Sequence, residues 1–425
     1  MLYNIAFFIF SLIYLPALIF KGKLHKDFGQ RFGSYDEKTR AALAAGNGTI
    51  WIEAVSVGEV ALCKSLIPKL KARFPGKGIT ISTITRAGNE LAKKLFANDA
   101  TIIYFPLDFS FTVRKAVDLI RPKLYIMIET EIWPGVLKAL AGRGVPSIVV
   151  NGRISDRSFG KYKLAKAFLR NTLGGIGLFC MQSKTDADRI IAMGAPAGKV
   201  RVTGNMKFDI DMPKVVSRDS YPWLKPEDEL FVAGSTRDGE EEIVIEAFKV
   251  LRQKFPNLQL LIAPRHITRV ADICKTVERF GFAPVTISSL SDTRTPDPGS
   301  RTPVYILDTI GRLNDFYALA TLVFVGGSLV KYGGQNPIEP ALFEKPVIFG
   351  PHMFNFRDVA AAFVRAEGAV QVSSIEDFNN ACARLLSNAQ ARARLGQNAR
   401  KVVAENRGAT EKNIEAIREA VSYKR

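Results

Sequence analysis

Short apolar runs rich in valine and isoleucine alternate along the chain with amphipathic stretches of helix length. In the first half the runs are TIWIEA (49–54), ITISTIT (79–85), TIIYFP (101–106), KLYIMIE (123–129), PSIVVNG (146–152), LFCMQS (178–183) and VRVTGN (200–205). They are nearly continuous in apolar residues, as expected for strands of a parallel sheet covered on both faces. After Gly58, EVALCKSLIPKLKARF sets Val60, Leu62, Leu66, Ile67 and Leu70 at near-helical spacing and stops before Pro75 and Gly76. A second series follows: ELFVAGS (229–235), LQLLIAP (258–264), PVTI (284–287), VYILD (304–308), LVFVGGS (322–328) and PVIFGP (346–351), with helices such as EEIVIEAFKVLRQKF between them. The intervening segment carries Pro213, Pro222 and Pro226 without periodicity and reads as a linker. SSLSDTRTPDPGSRTP (288–303) reads as a polar surface loop, and the chain is helical from about Ile375.

The expected architecture is α/β, with two Rossmann-like domains facing across a cleft. Residues 21–208 form the first domain, 209–228 the linker, 229–405 the second domain and 406–425 a helical tail. Open sheets of this kind bind ligands beyond the carboxyl ends of their strands.

Residues 1–20, MLYNIAFFIFSLIYLPALIF, carry no charge and are long enough to cover a bilayer's hydrocarbon layer. No basic residue precedes them and no clear cleavage site follows, whereas Lys21, Lys23, Lys26 and Arg31 come directly after. The segment reads as a retained membrane anchor with the globular part on the cytoplasmic side. Asn4, Ser11 and Pro16 leave a helix lying in the interface as an alternative, and a processed leader as another.

Composition narrows the chemistry. A chain of 425 residues exceeds a single core, and 47% hydrophobic with 24% charged residues excludes wholesale disorder. The net charge of +18 favours anionic partners. Four scattered cysteines and three histidines offer neither a CxxC pair nor an HxxxH pair, so no metal centre and no disulfide framework are expected. No GxGxxG follows a strand and no GxxxxGK[ST] occurs, which removes the usual dinucleotide and P-loop cradles. Nor does the chain show a basic stripe with interleaved aromatics, so nucleic acid is not an expected partner.

Candidate chemistry lies at strand ends. EAVSVGEV places Ser56, Gly58 and Glu59 at a helix start, where Glu59 is either a helix-dipole partner or a general base. Glu129 and Glu131 end a strongly apolar run, costly unless the strand opens into a polar site. Lys207 lies where the first half gives way to the linker. In the second half, Ser235 and Thr236 end a strand before a helix, Arg265 follows another strand, and VFVGGSLVKYGGQNPIEPALF supplies two glycine pairs. Backbone N–H groups of Gly326, Gly327, Ser328 and Gly334 are expected to hold phosphate, aided by a helix opening near Pro337. Asn336 and Glu339 follow, and Glu339 either accepts from a ribose diol or caps its own helix.

Eight motifs occur together in order: EAVSVGE, IETEIWP, VNGRISDRS, TGNMKFD, AGSTRDGEE, APRH, VGGSL with GGQNPIEP, and VIFGPHMFNF. The chain thereby resembles the bacterial 3-deoxy-D-manno-octulosonic acid (Kdo) transferases from its amino-terminal segment to about residue 405. The resemblance implies a B-type glycosyltransferase fold, CMP-Kdo as donor, and transfer to the 6′-hydroxyl of the tetraacylated bisphosphorylated lipid A precursor (lipid IVA). It implies an inverting reaction needing no cofactor, at the cytoplasmic face of the inner membrane. The first domain would then bind acceptor and the second the nucleotide sugar. By motif, Glu59 would be the general base and Glu129 a second catalytic acid. Nucleotide contacts would fall on Ser235, Arg265, Asn336 and Glu339, and also on Lys207. The family usually has histidine where Glu53, Arg237 and Gln335 stand, and glutamate at Arg312. Two other readings are another B-type glycosyltransferase using a UDP-sugar, and a membrane-tethered binder of anions.

Overall fold

The computed structural model describes residues 27–45, 48–155, 158–160, 166–212, 214–290 and 301–422. These divide into two compact units, one reaching to Asp209 and regaining Arg407–Arg425, the other Ile210–Asn406.

The first unit is a seven-stranded sheet of β1 (Thr49–Glu53), β2 (Gly78–Thr83), β3 (Thr101–Tyr104), β4 (Pro122–Ile128), β5 (Ser147–Gly152), β6 (Leu178–Met181) and β7 (Val200–Val202), ordered β3-β2-β1-β4-β5-β6-β7. All neighbours are parallel. Successive strand residues point to opposite faces. Trp51, Tyr125, Met127, Val149 and Phe179 therefore join one buried cluster, and Ile50, Ile52, Ile126, Ile128, Ile148 and Val150 the other. Burial on both faces explains the continuous apolar runs in the sequence.

The second unit repeats the plan with β8 (Glu229–Thr236), β9 (Leu258–Pro264), β10 (Ala283–Thr286), β11 (Pro303–Ile306), β12 (Leu322–Val325), β13 (Val347–Phe349) and β14 (Ala369–Gln371), ordered β10-β11-β9-β8-β12-β13-β14. Each sheet reverses its winding once, between β1 and β4 and between β8 and β12. Such switch points leave a crevice at the carboxyl ends of the strands.

The expected strands are all present within a few residues of their expected ends. One more, β14, was not anticipated. The helix after Ser56 runs Val57–Arg73 and carries Pro68 in its interior. The proline-bearing segment 209–228 is irregular, yet Tyr221 and Trp223 are buried, Trp223 stacking 3.9 Å from the Tyr305 ring. Among the described residues no helix is long and apolar enough to cross a membrane. The expected anchor, residues 1–20, lies outside the described residues, as do 291–300 of the polar loop.

The final helix, Ala409–Ser422, packs on the first unit, burying Ile414 and Ile417 in its core. Asp209 fixes its start by accepting from the N–H groups of Gly408 and Thr410. Replacing a carboxylate in this role typically costs about 0.5–2 kcal/mol. Asp209→Ala should therefore lower unfolding free energy by about 1 kcal/mol in urea titration; an unchanged midpoint would contradict this role.

Candidate active site

At the switch point of the first sheet, β1 ends in Glu53 and continues through Val55 and Ser56 into the helix bearing Glu59. The neighbouring strand β4 runs directly into Glu129 and Glu131. Four carboxyl groups thus gather where two apolar strands end.

Glu59 is buried. Its Oε2 accepts from the Val55 N–H, and the Ser56 hydroxyl donates to Oε1 at 3.2 Å. The helix-start reading is thus real, but two donors do not offset the burial. Desolvation first, then the charge of Glu129, push the Glu59 carboxyl up to about 8. Glu131 is raised by burial and by Glu129. Glu53, fully buried, is held far above the ordinary carboxylate range by desolvation and by Glu131 and Glu59, although it accepts from Trp133 Nε1 at 2.9 Å.

Glu129 has a left-handed backbone (φ 62°), a cost of about 1–3 kcal/mol that a non-glycine residue bears mostly at functional sites. Its carboxylate lies 3.4 Å from Lys207 Nζ. Lys207 is placed by Asn151, a buried, left-handed residue whose Oδ1 accepts from the Met206 N–H at 2.9 Å. The structure thus joins Ser56, Glu59, Glu129 and Lys207 in one polar locus. Gly58 is exposed, and a Cβ there would meet nothing closer than 4.0 Å.

The second switch point carries Ser235 (φ 57°) at the end of β8 and the glycine pair after β12. Here the expected phosphate cradle needs correction. The N–H groups of Gly327, Ser328 and Leu329 are already taken by the carboxylate of buried Glu240, at 2.5–2.9 Å, and Arg237 N–H makes a fourth bond to it. Glu240 stands where a bound anion was expected. Gly326 N–H bonds Gly234 O, and a Cβ on Gly326 would sit 2.6 Å from Ser235 O, so this glycine serves close packing. Ser328 is fully buried, its hydroxyl donating to Val325 O and accepting from Gly350 N–H. Gly334 N–H bonds Gly327 O. None of these groups is open to a ligand.

The helix after Pro337 is only Ile338–Ala341, too short for an appreciable macrodipole. Asn336 caps it, accepting from Ile338 N–H at 3.1 Å, while its amide donates to Glu339 Oε1 at 3.2 Å. Arg265 is exposed beyond β9, its N–H bonded to Thr236 O. Arg237 and Gln335 both lie against Gly327. Arg312 donates to the Tyr221 hydroxyl and pairs with Asp315, fastening the 209–228 segment to the second unit.

A family model described as 3-deoxy-D-manno-octulosonic-acid transferase (kdotransferase) matches residues 26–210. The 3-deoxy-D-manno-octulosonic acid transferase of Haemophilus influenzae is 36% identical over 376 residues, 87% of this chain and 86% of its own length. That of Bordetella pertussis is 31% identical over 396 residues, 91% and 90% of the two chains. The chain belongs to the Kdo transferase family. It is an enzyme, a glycosyltransferase of Kdo. Its solved structural neighbours include MurG of Acinetobacter baumannii (TM-score 0.54, 14% identity, 88% of this chain and 99% of that one). Another is a UDP-GlcNAc 2-epimerase from Neisseria meningitidis (TM-score 0.56, 12% identity, 88% and 100%). These neighbours support the B-type glycosyltransferase fold of the Kdo transferase.

Sequence reasoning passed over Glu240, Trp133, Asn151 and Glu53's place among the acids. The same signal that marked Glu129, a charge ending an apolar run, was present at Glu53. Nothing local in GEEE distinguished Glu240, bonded to four backbone N–H groups, from buried Glu241, which pairs with Arg269, or from exposed Glu242.

Two outcomes follow. Glu240→Ala leaves buried N–H groups unpaired at about 1–3 kcal/mol each, so a loss of roughly 3 kcal/mol or more is expected in denaturant unfolding, and a loss under about 1 kcal/mol would contradict the account. Folded Glu59 holds a proton that the unfolded chain releases above its ordinary value of 4.5, so its contribution to stability is lost as pH rises through about 8. Unfolding free energy measured between these pH values should fall more steeply in the native protein than in Glu59→Gln; equal slopes would count against the shift.

Proposed function

We propose that this Kdo transferase moves Kdo from CMP-Kdo to the 6′-hydroxyl of the tetraacylated bisphosphorylated lipid A precursor (lipid IVA), with inversion at the anomeric carbon. The observation that carries the mechanism is a buried Glu59 carboxyl whose proton affinity is set near 8 by desolvation and Glu129. A base is most effective when its pKa lies near the working pH.

In this mechanism the ionised Glu59 takes the proton of the acceptor hydroxyl. The oxygen forms its bond to the anomeric carbon as the carbon–oxygen bond to CMP breaks, and the electron pair leaves with the CMP phosphate. Burial of Glu59 strengthens its hold on the transferred proton. Glu129, fixed beside Lys207, keeps a negative field next to the base and a polar contact for the sugar being transferred. Asn336 and Glu339 offer an amide and a carboxylate to the nucleoside, and Arg265 offers a cation to the leaving phosphate.

The charge balance supports anionic reactants. The donor carries a phosphodiester and a carboxylate and the acceptor two phosphates, against a net charge of +18. The uncharged residues 1–20 followed by Lys21, Lys23 and Lys26 support attachment at the cytoplasmic face of the inner membrane, where the acceptor's acyl chains lie. Deletion of residues 1–20 with unchanged membrane fractionation would remove that part of the proposal.

With CMP-Kdo and lipid IVA, Glu59→Ala should lose about 10²–10⁴-fold in kcat while still binding CMP. The pH–rate profile of the native enzyme should rise to a plateau with a midpoint near 8. Near-normal turnover in the variant, or a flat profile, would refute the assignment of the base.

A further inference from the structure

Three arginines and a histidine crowd the carboxyl ends of β8 and β9. Arg269 is neutralised, its guanidinium bonding Glu241 at 2.6 Å and Asp238 at 2.8 Å. Arg265 is exposed, and no ion pair to it is found among the described residues. Arg237 donates from Nη1 to His266 Nε2 at 2.8 Å, and its guanidinium lies 5.0 Å from the centre of the Tyr332 ring. The Arg237 Nε is buried without a partner.

Arginine has donors only, so His266 Nε2 must be the acceptor, and the imidazole proton sits on Nδ1. Burial and the three neighbouring arginines hold the imidazole's pKa below its usual value, so it adds no charge. Glu240, the acid whose charge acts on Arg237, has its accepting positions filled by four backbone N–H groups. Arg237 and Arg265 lie close together, and burial first, then the charge of Arg265, hold the Arg237 guanidinium below its usual value. The hydrogen bond to His266 and the Tyr332 ring restrict the Arg237 fork, and a guanidinium so held suits two-pronged binding of an oxyanion.

We infer that Arg237 and Arg265 form a two-arginine seat for an oxyanion of the sugar donor, with His266 and Tyr332 as positioning residues for Arg237. The oxyanion is carried either by the donor's phosphodiester or by the carboxylate of its sugar. The inference rests on the CMP-Kdo reading above and adds to it a residue at which the family resemblance led us to expect histidine.

The test compares full-length native protein with Arg237→Ala, Arg237→Lys and Tyr332→Leu. CMP affinity is measured by calorimetry, steady-state constants with CMP-Kdo, and melting temperature with and without inorganic phosphate. Loss of a charged two-pronged contact corresponds to roughly 10- to 100-fold. If the seat takes the phosphodiester, Arg237→Ala weakens CMP by that factor. If it takes the carboxylate, CMP affinity is kept and the KM for CMP-Kdo rises by that factor. In either case Arg237→Lys is only partly rescued, Tyr332→Leu moves the same constant by less, and phosphate stabilises the native protein more than Arg237→Ala. Constants within twofold of native in a folded Arg237→Ala overturn the seat. If the native protein does not turn over CMP-Kdo, the donor reading fails, and the phosphate shift alone decides: equal shifts in native and Arg237→Ala overturn the seat, and a shift lost in the variant upholds it.

Discussion

A carboxyl group withdrawn from water keeps its proton until cations or N–H donors replace the solvent. Burial raises the carboxyl in both units, but the two supply very different numbers of donors to offset it. In the first, Glu53, Glu59, Glu129 and Glu131 end the apolar strands β1 and β4, with few donors and one lysine near them. Burial first, and then the charge of Glu129, push the Glu59 carboxyl up to about 8. In the second, Glu240 is just as deeply placed but accepts four backbone N–H bonds. It has no lone pair left for a substrate's proton and serves as a clamp on the loop after β12.

The fold makes both outcomes possible at corresponding places. Each sheet changes winding direction once, and each cluster lies at that reversal. Three of the left-handed residues that are not glycine lie at or near these places: Glu129 beyond β4, Asn151 in the adjacent β5 and Ser235 in β8. Their strain is held by buried neighbours, for instance the bond from Met206 N–H to Asn151 Oδ1 that brings Lys207 to Glu129.

Much of this was legible in the sequence. Strands buried on both faces announce themselves by continuous apolar runs, and Glu59 and Glu129 stood out as acids at the ends of such runs. β14 was missed because three residues, Ala369–Gln371, are too few to show a period. The glycine-rich loop was misread for a physical reason. A row of N–H groups at a strand end looks the same in sequence whether an external phosphate or an internal carboxylate completes it, and Glu240 lies 87 residues before Gly327. The clustering of Arg237 with His266 was hidden likewise, because it depends on β8 and β9 being neighbours.

The most direct check on the poised base is its own titration. Isotope-edited difference infrared spectroscopy of glutamate-labelled protein, native against Glu59→Gln, isolates the Glu59 carboxyl band. The account predicts that this band gives up its proton close to pH 8. Ionisation in the ordinary glutamate range, around its reference value of 4.5, would contradict it.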